Sequence, residues 1–587
     1  MKITDLPQPF GFYRVLTGSD LLHFGYWQKN TDISLPEAQE ALSELLLKRF
    51  PKPPKRILDV GCGLGAMAGH LAEAGYQVVA IAPAEQLINY AQHHHPGAEY
   101  IACGFLDDHT KLSPPESYDI ILFQESLQYF PKLTPVFNKI KQLLAPSQGR
   151  LIFCDEVSYT SETLQDSAVH EAKDIEQHFS ELGFFVRYHK RIGSQVTPTT
   201  EKILQGFYEK RTELIELFGK KSEEEILHFT KGWEKQKKWY TTKQFGYEVW
   251  ELQSSQFQVR SYFAPDETAI LEAFKIAFGV SRSLAHWQWK FKKSPFGETH
   301  ISTVWDNTTL AAHYSAYPVP LWLGNRQTMT YHVGDTFTLP AYRGIGRGQT
   351  SLLARAVRHF HRLYCEEQIP FFYGFNTGKI QRFGKIFLRY YPVAPVYEWV
   401  LKDKALQIII KKSVWGSWLR GYTVTCEKQV EQWADTLFEK AKPHYGWLVA
   451  RNQQYLQWRY QAHPDYSYYF FVVRHWGKVV GWWLGRVEGE TLLVGDALFC
   501  QQTTQAPRAG LIAGLAFLKN KGIKINEIRG WFSKNPQWWN HVLKALGFNA
   551  QRHWQNLDFC VTSFADEIEA EQIGDNFYFT QGDSDLF

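Results

Sequence analysis

Three glycines at alternate positions mark the first place in the chain where ligand chemistry is expected. Gly61, Gly63 and Gly65 follow an apolar segment, residues 56–60, that suits a strand buried on both faces. Glycine permits the tight turn and the close backbone approach that a nucleotide-like ligand needs. A helix is predicted directly after the turn, over residues 66–74. The pattern therefore predicts a strand, a ligand-binding turn and a helix that begin a nucleotide-binding layer.

With Asp59 ahead of the turn and Cys62 inside it, the segment RILDVGCGLG resembles motif I of class I S-adenosylmethionine-dependent methyltransferases. The resemblance covers about residues 20–253. It implies a Rossmann-like α/β domain over residues 1–255, with S-adenosyl-L-methionine as its cofactor. The cofactor-binding residues that it implies here are Asp59, Gly61, Cys62, Gly63 and Gly65.

Two aromatic residues, Tyr26 and Trp27, precede the first long helical pattern, at about residues 35–50. In the small-molecule methyltransferases that the chain resembles, aromatic residues at this place close over the methionine end of the cofactor. Tyr26 and Trp27 are therefore expected to bind the cofactor. The alternative is that both side chains pack in the core.

The sequence departs from the family pattern at two places. Ala82 stands at the end of the predicted second strand, where the resemblance implies an acidic residue that binds the ribose hydroxyls, and Glu85 is the nearest replacement. The acid expected near the adenine amino group would fall at residues 103–104, and Asp107 or Asp108 could substitute for it. Both departures weaken the case for ordinary cofactor affinity and leave the case for the fold intact.

Polar residues end the predicted fourth and fifth strands. Gln124 and Glu125 follow residues 118–123, and Asp155 and Glu156 end the next strand. The carboxyl ends of strands face the ligand crevice in an open α/β sheet. Gln124 is therefore expected to contact the cofactor, and the three carboxylates to orient or deprotonate an acceptor. The alternative is that they are solvated carboxylates at strand ends.

A helical insertion over about residues 198–241 separates the last two strands of this domain. Its outer residues are polar and charged, which predicts a cap over the site and favours a small acceptor over a macromolecule. The residues expected on its inner side are Leu204, Phe207, Leu214, Leu217 and Phe218.

A second glycine loop lies between a predicted strand, residues 332–339, and a predicted helix, residues 349–363. The loop fits R-x-x-G-x-G, in which backbone N–H groups and a helix N-terminus can cradle a pyrophosphate. In this context it resembles motif A of the GNAT acyltransferases, which implies acetyl-CoA or another acyl-CoA as a cofactor. The cofactor-binding residues implied are Leu339, Arg343, Gly344, Ile345, Gly346, Arg347 and Gly348.

The acid and the base of this second site are less sharply defined by the sequence. Many GNAT proteins use a helix tyrosine to protonate the leaving thiolate, and Ile380 takes that position here. Asp335 and His332, on the central strand, are candidates for accepting a proton from an amine. The neighbouring candidates for the acid, any of which could be a packed core aromatic, are Tyr373, Tyr390 and Tyr391.

The rest of the chain repeats this pattern. Residues 288–291 (QWKF) recur as residues 457–460 (QWRY), and residues 333–335 (VGD) recur as 494–496. We therefore predict an α/β protein in which the Rossmann-like methyltransferase domain with its helical cap is followed by two GNAT-like α/β domains in tandem. The predicted boundaries are 256–405 for the first copy, 406–420 for a linker and 421–587 for a degenerate second copy. The second copy has CQQTTQAPRAGL in place of the glycine loop, and its acidic tail is expected to dock on it.

The whole-chain composition excludes several classes of protein. The 587 residues carry 64 basic and 60 acidic side chains, which argues against a nucleic-acid partner. Seven scattered cysteines form no C-x-x-C pair, and no metal site is expected, because the consecutive residues 93–95 (HHH) cannot share one helix face. No signal sequence and no apolar stretch of ~20 residues is present, so we expect a cytoplasmic protein without a membrane partner.

These patterns predict a bifunctional transferase. It would methylate with S-adenosylmethionine and N-acylate with acetyl-CoA a small molecule or a carrier-bound intermediate. Two alternatives stay open: an acyltransferase whose methyltransferase-like domain is not catalytic, and a chain-initiating pair of the polyketide type, in which the GNAT-like fold decarboxylates or transfers an acyl group on an acyl carrier protein. The acceptor, the acyl chain and the oligomeric state are not determined by the sequence.

Overall fold

The structure is a computed structural model that describes residues 2–27, 33–107, 112, 115–145, 148–160, 169–181, 183–298, 300–500 and 502–587. It divides into two compact units, Met1–Val259 and Arg260–Phe587. Both are α/β, as the sequence predicted. Within those ranges, none of the helices is long and apolar enough to cross a membrane.

The first unit is built on one seven-stranded sheet. Its strands are Arg56–Val60 (β1), Gln77–Ala82 (β2), Glu99–Ala102 (β3), Ile120–Gln124 (β4), Arg150–Ser158 (β5), Phe184–Arg191 (β6) and Phe245–Ser254 (β7). They lie in the order β3-β2-β1-β4-β5-β7-β6, parallel from β3 to β5, with β7 antiparallel to β5 and β6. The order reverses between β1 and β4, and open α/β sheets bind ligands outside the carboxyl ends of strands at such a point.

Helices cover both faces of this sheet. They are Phe10–Thr17 (α1), Leu35–Leu47 (α2), Ala66–Glu73 (α3), Glu85–His94 (α4), Leu133–Leu143 (α5), Ala172–Glu181 (α6), Gly193–Val196 (α7), Pro198–Glu209 (α8), Arg211–Phe218 (α9) and Ser222–Thr241 (α10). In β1, Ile57 packs in one cluster with Leu71 of α3, whereas Leu58 packs in the opposite cluster with Phe137 of α5. The strand is therefore buried on both faces, as the apolar run predicted.

Helices α8 to α10 form the cap. Phe207, Leu214 and Ile226, one from each helix, pack with Phe12 of α1 in a separate apolar cluster. Leu217, expected on the inner side, is 45% exposed. That expectation was wrong because the inner stripe of α9 is formed by Leu214, Ile215 and Phe218, and Leu217 lies on the exposed side of the helix.

The second unit contains two sheets. Their strands are Phe257–Ser261 (β8, at the junction of the units), His300–Asp306 (β9), Thr309–Leu323 (β10), Gln327–Thr338 (β11), Phe371–Asn376 (β12), Tyr391–Pro395 (β13), Tyr397–Lys402 (β14), Tyr422–Glu427 (β15), Trp447–Val449 (β16), Tyr469–His475 (β17), Lys478–Glu488 (β18), Thr491–Phe499 (β19), Glu527–Trp531 (β20), Asn549–Arg552 (β21), Asp558–Ser563 (β22) and Phe577–Tyr578 (β23). One sheet runs β13-β22-β12-β11-β10-β16-β23, and the other runs β15-β17-β18-β19-β20-β14-β21.

The first of these sheets contains three strands from the second half of the unit, β16, β22 and β23, and the second contains one strand from the first half, β14. Strand β22 lies between β12 and β13, with Gly374 opposite Cys560, and β14 lies between β20 and β21, with Trp399 opposite Gly530. The predicted boundaries of the two copies, 256–405 and 421–587, therefore assign β14 and β22 to halves whose sheets do not contain them. The two halves form one compact unit.

The helices of the second unit pack on these sheets and connect their strands. They are Glu267–Phe278 (α11), Leu284–Phe291 (α12), Leu352–Tyr364 (α13), Gly378–Phe387 (α14), Asp403–Ile410 (α15), Trp415–Trp418 (α16), Trp433–Ala441 (α17), Gln453–Leu456 (α18), Gln505–Asn520 (α19), Gln537–Ala545 (α20) and Ala570–Asn576 (α21). Helices α15 and α16 lie at the region predicted as the linker.

The C-terminal segment after α21 is buried in the second unit. Strand β23 pairs with β16. Beyond it, Asp583 accepts a bond from Arg451 Nη2 at 2.6 Å, and the Arg451 Nε lies 2.9 Å from Asp496 Oδ1. Because Arg451 has no exposed side-chain area, its buried guanidinium depends on these carboxyl groups for counter-charge and hydrogen bonds.

Candidate active sites

The main cavity of the first unit lies at the carboxyl ends of β1, β2, β4 and β5, under the cap. It has a volume of about 910 Å³, near the upper end of the ~300–1,000 Å³ typical of small-molecule sites. Its walls include residues 59–64 after β1, residues 81–84 after β2, residues 124–126 after β4, and Glu156 on β5. The sheet edge predicted to bind ligand is thus the floor of a cavity.

The glycine turn is shaped by what surrounds it. Gly61 has φ +77°, and a Cβ there would lie 2.5 Å from the Cβ of Ser126. Only a glycine at position 61 therefore lets the segment that follows β4 come this close. Gly63 has φ +55°, and among the described residues only Leu22 Cδ1, at 3.8 Å, lies within 4 Å of its Cβ position. Gly63 therefore faces the cavity, which Cys62 also lines, whereas a Cβ on Gly65 would meet Ala91 of α4 at 2.5 Å.

Three buried polar atoms on the cavity wall have no hydrogen-bond partner among the described residues. They are Asp59 Oδ2, Gln39 Oε1 and Gln124 Nε2. Burial raises the pKa of Asp59 to about 7. Since buried polar atoms are rarely left unpaired, these three suit a polar ligand: Asp59 and Gln39 can accept from a positive group, and Gln124 can donate, as S-adenosylmethionine would require.

Tyr26 and Trp27, predicted to close over the cofactor, lie outside the cavity wall. Trp27 is 3% exposed and donates from Nε1 to Thr199 Oγ1 at 3.0 Å, and Tyr26 Oη accepts from Lys190 Nζ at 2.8 Å. The neighbouring Phe24 lines the cavity instead. The placement matches the alternative of core packing.

The replacements considered for the missing acids do not face the cavity. Ala82 lines it, but Glu85 is exposed on α4 and outside the wall. Asp107 is also exposed, and its Oδ2 accepts from Gly104 N at 2.7 Å. Its carboxylate therefore stabilises the loop of residues 104–107. Asp108 lies outside the described residues.

Glu125 is held at the end of β4 in a strained backbone conformation. Its φ is +53°, a region that non-glycine residues seldom adopt except at functional sites. Its Oε1 accepts from Phe24 N at 2.6 Å and from Tyr247 Oη at 2.7 Å. Burial raises the pKa of Glu125 well above its ordinary value, the bond from Tyr247 opposes this, and the charge of Glu156 adds to it.

Of the two carboxylates that β5 carries, Asp155 lies in the core and Glu156 lies on the cavity wall. Asp155 is buried outside the cavity wall, where its carboxylate accepts from Leu127 N at 2.8 Å, and burial together with the charge of Glu156 raises its pKa to about 8. Glu156 lines the cavity and accepts from Gln236 Nε2 at 2.6 Å and from Tyr240 Oη at 2.9 Å. Burial raises the pKa of Glu156 to about 7. The alternative of solvated carboxylates is wrong for these two residues.

The cap and the N-terminal segment supply wall residues that the sequence patterns did not single out. Tyr13 and Phe24 come from the N-terminal segment, and Trp233 and Gln236 come from α10. The only signal was the density of aromatic residues before residue 28. A polar Gln at a position of α10 that faces Glu156 carries no signature of its own, because it resembles any exposed helix residue.

The glycine loop of the second unit keeps its backbone shape. Gly344, Gly346 and Gly348 have φ of +92°, +71° and +56°. A Cβ on Gly346 would lie 2.2 Å from Thr350 O, whereas one on Gly344 would meet no described atom within 4 Å. Arg343 and Arg347 are exposed, Ile345 is half-buried, and Leu339 is buried at the end of the strand. The loop leads to α13, whose N-cap is Ser351.

The two residues expected to accept a proton in this unit, Asp335 and His332, are ion-paired or buried. Asp335, at φ +51°, is paired with Arg282 and lies 3.1 Å from Lys290 Nζ. Burial opposes ionisation, but Lys290 and Arg282 outweigh it and lower the pKa of Asp335, which makes it a weak base. His332 is 1% exposed, and burial lowers its pKa to about 4.

The three tyrosines differ in exposure. Tyr373 is 1% exposed, with its ring centroid 5.3 Å from that of Phe577. Tyr390 is 6% exposed and Tyr391 is 38% exposed. Ile380 lies on α14, and its side chain is outside the described part of the chain. Of these candidates only Tyr391 presents much of its side chain to solvent.

Comparisons with known proteins find a different family in each unit. Residues 35–195 match the family described as a methyltransferase domain, and residues 258–384 match the acetyltransferase (GNAT) domain. The chain is 46% identical over 65 residues to (+)-O-methylkolavelool synthase from Herpetosiphon aurantiacus, covering 11% of this chain and 23% of that protein. It is 25% identical over 158 residues to (S)-tetrahydroprotoberberine N-methyltransferase from Eschscholzia californica, covering 26% and 44%.

The chain thus spans less than half the length of these two relatives. Among solved structures, the cyclopropane synthase MmaA2 from Mycobacterium tuberculosis matches with a TM-score of 0.37 and 17% identity, over 43% of this chain and 95% of that one. The family matches cover the motif I turn and the glycine loop. This chain therefore contains a methyltransferase domain and a GNAT acetyltransferase domain on one polypeptide.

Proposed function

We propose that the protein is a bifunctional transferase that methylates with S-adenosylmethionine and N-acylates with acetyl-CoA or another acyl-CoA. The substrate is a small molecule or a carrier-bound intermediate. The observation that carries the methyl-transfer half is the cavity whose wall joins the motif I turn to Glu125 and Glu156. The acyl-transfer half is supported by the matched GNAT domain and the glycine loop.

In the first unit, Asp59, Gln124 and the glycine turn would hold the cofactor. Bound S-adenosylmethionine supplies an electrophilic methyl group. Asp59 pairs with its positive end, Gly63 leaves room for it, and Glu125 and Glu156 face the remaining space of the cavity. Transfer then depends mainly on holding the acceptor in line with the methyl group while the cap excludes water.

In the second unit, the loop of residues 343–348 would hold the pyrophosphate of acyl-CoA through backbone N–H groups, near the N-terminus of α13. Arg343 and Arg347 are exposed at this loop and add positive charge. We also place the protein in the cytoplasm, since all seven cysteines are free, as is usual in reducing compartments.

A second candidate is an acyltransferase whose methyltransferase domain does not transfer methyl groups. Ala82 favours it, because the end of β2 offers no carboxylate to the ribose. Calorimetric titration of the whole protein with S-adenosylmethionine and acetyl-CoA, separately, distinguishes the candidates. The site variants are Gly63→Arg and Gly346→Arg.

The bifunctional proposal stands if both ligands bind, Gly63→Arg abolishes only S-adenosylmethionine binding, and Gly346→Arg abolishes only acetyl-CoA binding. Binding of acetyl-CoA alone would support the second candidate. If neither ligand binds, both candidates are wrong. A thermal scan adds an independent readout, because a ligand at ~100 times its Kd stabilises the native state by ~2.7 kcal/mol.

A further inference from the structure

We infer that the methyl acceptor of the first unit is an amine with an apolar body, bound as a cation between Glu125 and the aromatic side chains under the cap. The inference rests on the proposed methyl transfer in the same cavity and names its substrate class. The charges on the wall, the free oxygen of Glu125 and the aromatic residues opposite it carry the argument.

The cavity wall is acidic. Asp59, Glu125 and Glu156 line it, and among the described lining residues there is no Lys or Arg. Asp20, the other acid, is already paired with Arg14 at 2.5 Å. The one histidine, His23, is uncharged at neutral pH because burial lowers its pKa to about 4. A carboxylate, phosphate or diphosphate acceptor would therefore be buried without a counter-charge, whereas a bound ammonium group would lower the raised pKa of a neighbouring carboxyl and hold it ionised as its counter-charge.

Glu125 offers one oxygen to such a group. Both hydrogen bonds that the described residues make to its carboxylate, from Phe24 N and Tyr247 Oη, end on Oε1. The other oxygen, Oε2, is thereby left to accept from a ligand. The titratable groups with the largest effect on the pKa of Glu125 are Tyr247, Glu156 and Asp155. None of them is positively charged, so none competes with a cationic ligand.

Aromatic rings face the same space. Trp233 lines the cavity, with its ring centroid 5.5 Å from that of Phe24 and 6.0 Å from that of Tyr13. Trp233 Nε1 donates to Tyr13 Oη at 2.9 Å, which fixes both rings. Ring faces attract an organic cation and bury apolar groups. An amine with an apolar body satisfies both properties of the wall.

The reaction balances with these groups alone. The bound ammonium gives one proton to the Glu125 carboxylate and becomes a neutral amine. Its nitrogen lone pair then forms a bond to the sulfonium methyl carbon while the bond from that carbon to sulfur breaks, with its electron pair left on sulfur. The products are the N-methylated amine as a cation, S-adenosylhomocysteine and protonated Glu125.

Three probes of similar shape test the substrate class: 2-phenylethylamine, 2-phenylethanol and 3-phenylpropanoate. Their affinities are measured calorimetrically on the whole protein saturated with S-adenosylhomocysteine, and S-adenosylhomocysteine release is measured with S-adenosylmethionine. The amine should bind at least 10-fold more tightly than either analogue. Glu125→Gln should remove that preference, whereas Glu224→Gln, at an exposed position of α10, should keep it.

The outcomes separate this inference from the proposed function. If S-adenosylmethionine does not bind, the proposed function fails and the inference falls with it. If S-adenosylmethionine binds but the alcohol or the carboxylate binds best, or none of the probes binds, the function stands and the amine acceptor is wrong. If Glu125→Gln and Glu224→Gln melt at the same temperature as the unmodified protein, a loss of the preference for the amine is not caused by unfolding.

A second inference comes from the surface of the second unit. Five large apolar side chains are exposed there on and beside α16, among them Trp415 at 70%, Leu419 at 73% and Trp476 at 74%. The other two are Val414 and Trp418. We call these five residues the tryptophan patch. Contiguous exposed apolar surface of this kind marks an interaction site.

The tryptophan patch is held in place by local packing. Trp476 N donates to Gly421 O at 2.8 Å, and a Cβ on Gly421 would lie 2.5 Å from the Trp476 ring. The ring centroids of Trp415 and Trp418 lie 5.7 Å apart, edge to face.

The segment that carries α16 is basic between Asp403 and Glu427. Residues 404–426 contain no acidic residue and carry Lys404, Lys411, Lys412 and Arg420. We propose that this surface docks on an anionic lipid bilayer, with the indole rings at headgroup level and the basic residues on the lipid phosphates. This goes beyond the expectation of no membrane partner, because docking needs no spanning helix.

Co-sedimentation of the whole protein with vesicles tests the docking. Vesicles of phosphatidylcholine with about 30% phosphatidylglycerol should bind at least 10-fold more protein than phosphatidylcholine alone. The double variant Trp415→Ser/Trp418→Ser should lose that binding. Trp554→Ser, at a tryptophan 76% exposed outside the patch, should keep it.

Equal binding to both vesicles, or none, would overturn the docking. So would a wild-type dimer in light scattering that the double variant converts to monomer, since a second copy would then cover the tryptophan patch. Thermal melting of both variants checks that they are folded.

Discussion

Trp289 and Trp458 each donate an indole N–H to the other's backbone carbonyl. The distances are 2.7 Å from Trp289 Nε1 to Trp458 O and 3.1 Å from Trp458 Nε1 to Trp289 O, and the rings stack with centroids 5.6 Å apart. Such reciprocity is what a local two-fold relation between two similar halves produces. The two tryptophans are also the equivalent residues of the repeated QWKF and QWRY segments, so the repeat in sequence coincides with a symmetric contact.

Replacing either of these tryptophans with phenylalanine should destabilise the second unit. Each change removes a donor and leaves a buried carbonyl unpaired, which costs ~1–3 kcal/mol. The double variant Trp289→Phe/Trp458→Phe should cost less than the sum of the single variants, since both act on one contact. Urea unfolding measures these losses, with Trp554→Phe as the exposed control. Additive losses would contradict a shared contact.

The glycine loop of the second unit allows a matched pair of variants. Gly344→Ala and Gly346→Ala both place a Cβ at positive φ, but only the second forces it against Thr350 O. If the loop binds acyl-CoA, Gly346→Ala should weaken acetyl-CoA binding at least 10-fold, and Gly344→Ala should change it only a few-fold. Calorimetry measures both. Equal effects would mean that the shape of the loop does not determine binding.

Binding of S-adenosylmethionine should release protons. The pKa of Asp59 is about 7 in the free protein, so this carboxyl is partly protonated at neutral pH. A cation bound beside it lowers the pKa, and the bound protein then holds fewer protons. Affinity should therefore rise with pH up to about 7 and level off above it.

Calorimetry at about pH 6.5 in phosphate and in Tris counts the released protons, because these buffers differ in ionisation enthalpy. In the Asp59→Asn variant, the protons released by Asp59 on ligand binding should be missing from this count. Equal heats in both buffers for the unmodified protein would show that Asp59 does not face the cation.

Ala82→Asp should tighten S-adenosylmethionine binding. Ala82 lines the cavity at the end of β2, where a carboxylate could accept bonds from both ribose hydroxyls. A hydrogen bond to a charged group contributes ~1.5–3 kcal/mol, so Kd should fall by about 10-fold to 100-fold. Ala84→Asp, two residues further along the same wall, should not tighten binding. Weaker binding by Ala82→Asp would place the ribose elsewhere.

Local patterns predicted the parts of the site that depend on backbone shape. The motif I turn, the buried strand before it and the second glycine loop could be predicted because glycine and apolar periodicity act within a few residues. The partners of Glu125 could not be predicted, since Phe24 lies 101 residues before it and Tyr247 lies 122 residues after it.

The exchange of β14 and β22 was invisible for a related reason. Each strand has an ordinary apolar pattern, and nothing in residues 397–402 distinguishes the sheet in which they lie. Register and partner are decided by side-chain packing across the sheet. The roles of Asp335 and Tyr373 were expected from their place on the strands. Only the structure reveals that Asp335 is ion-paired and that Tyr373 is buried.

The exchanged strands also determine when the second unit can be completed during synthesis. Strand β22 begins at Asp558, 163 residues after β13 ends at Pro395. At ~5–20 residues per second, the ribosome leaves the first sheet without its penultimate strand for roughly 8–30 s. During that interval the unpaired edges of β12 and β13 are open to other chains. The first sheet therefore cannot be completed before residues 558–563 have emerged from the ribosome.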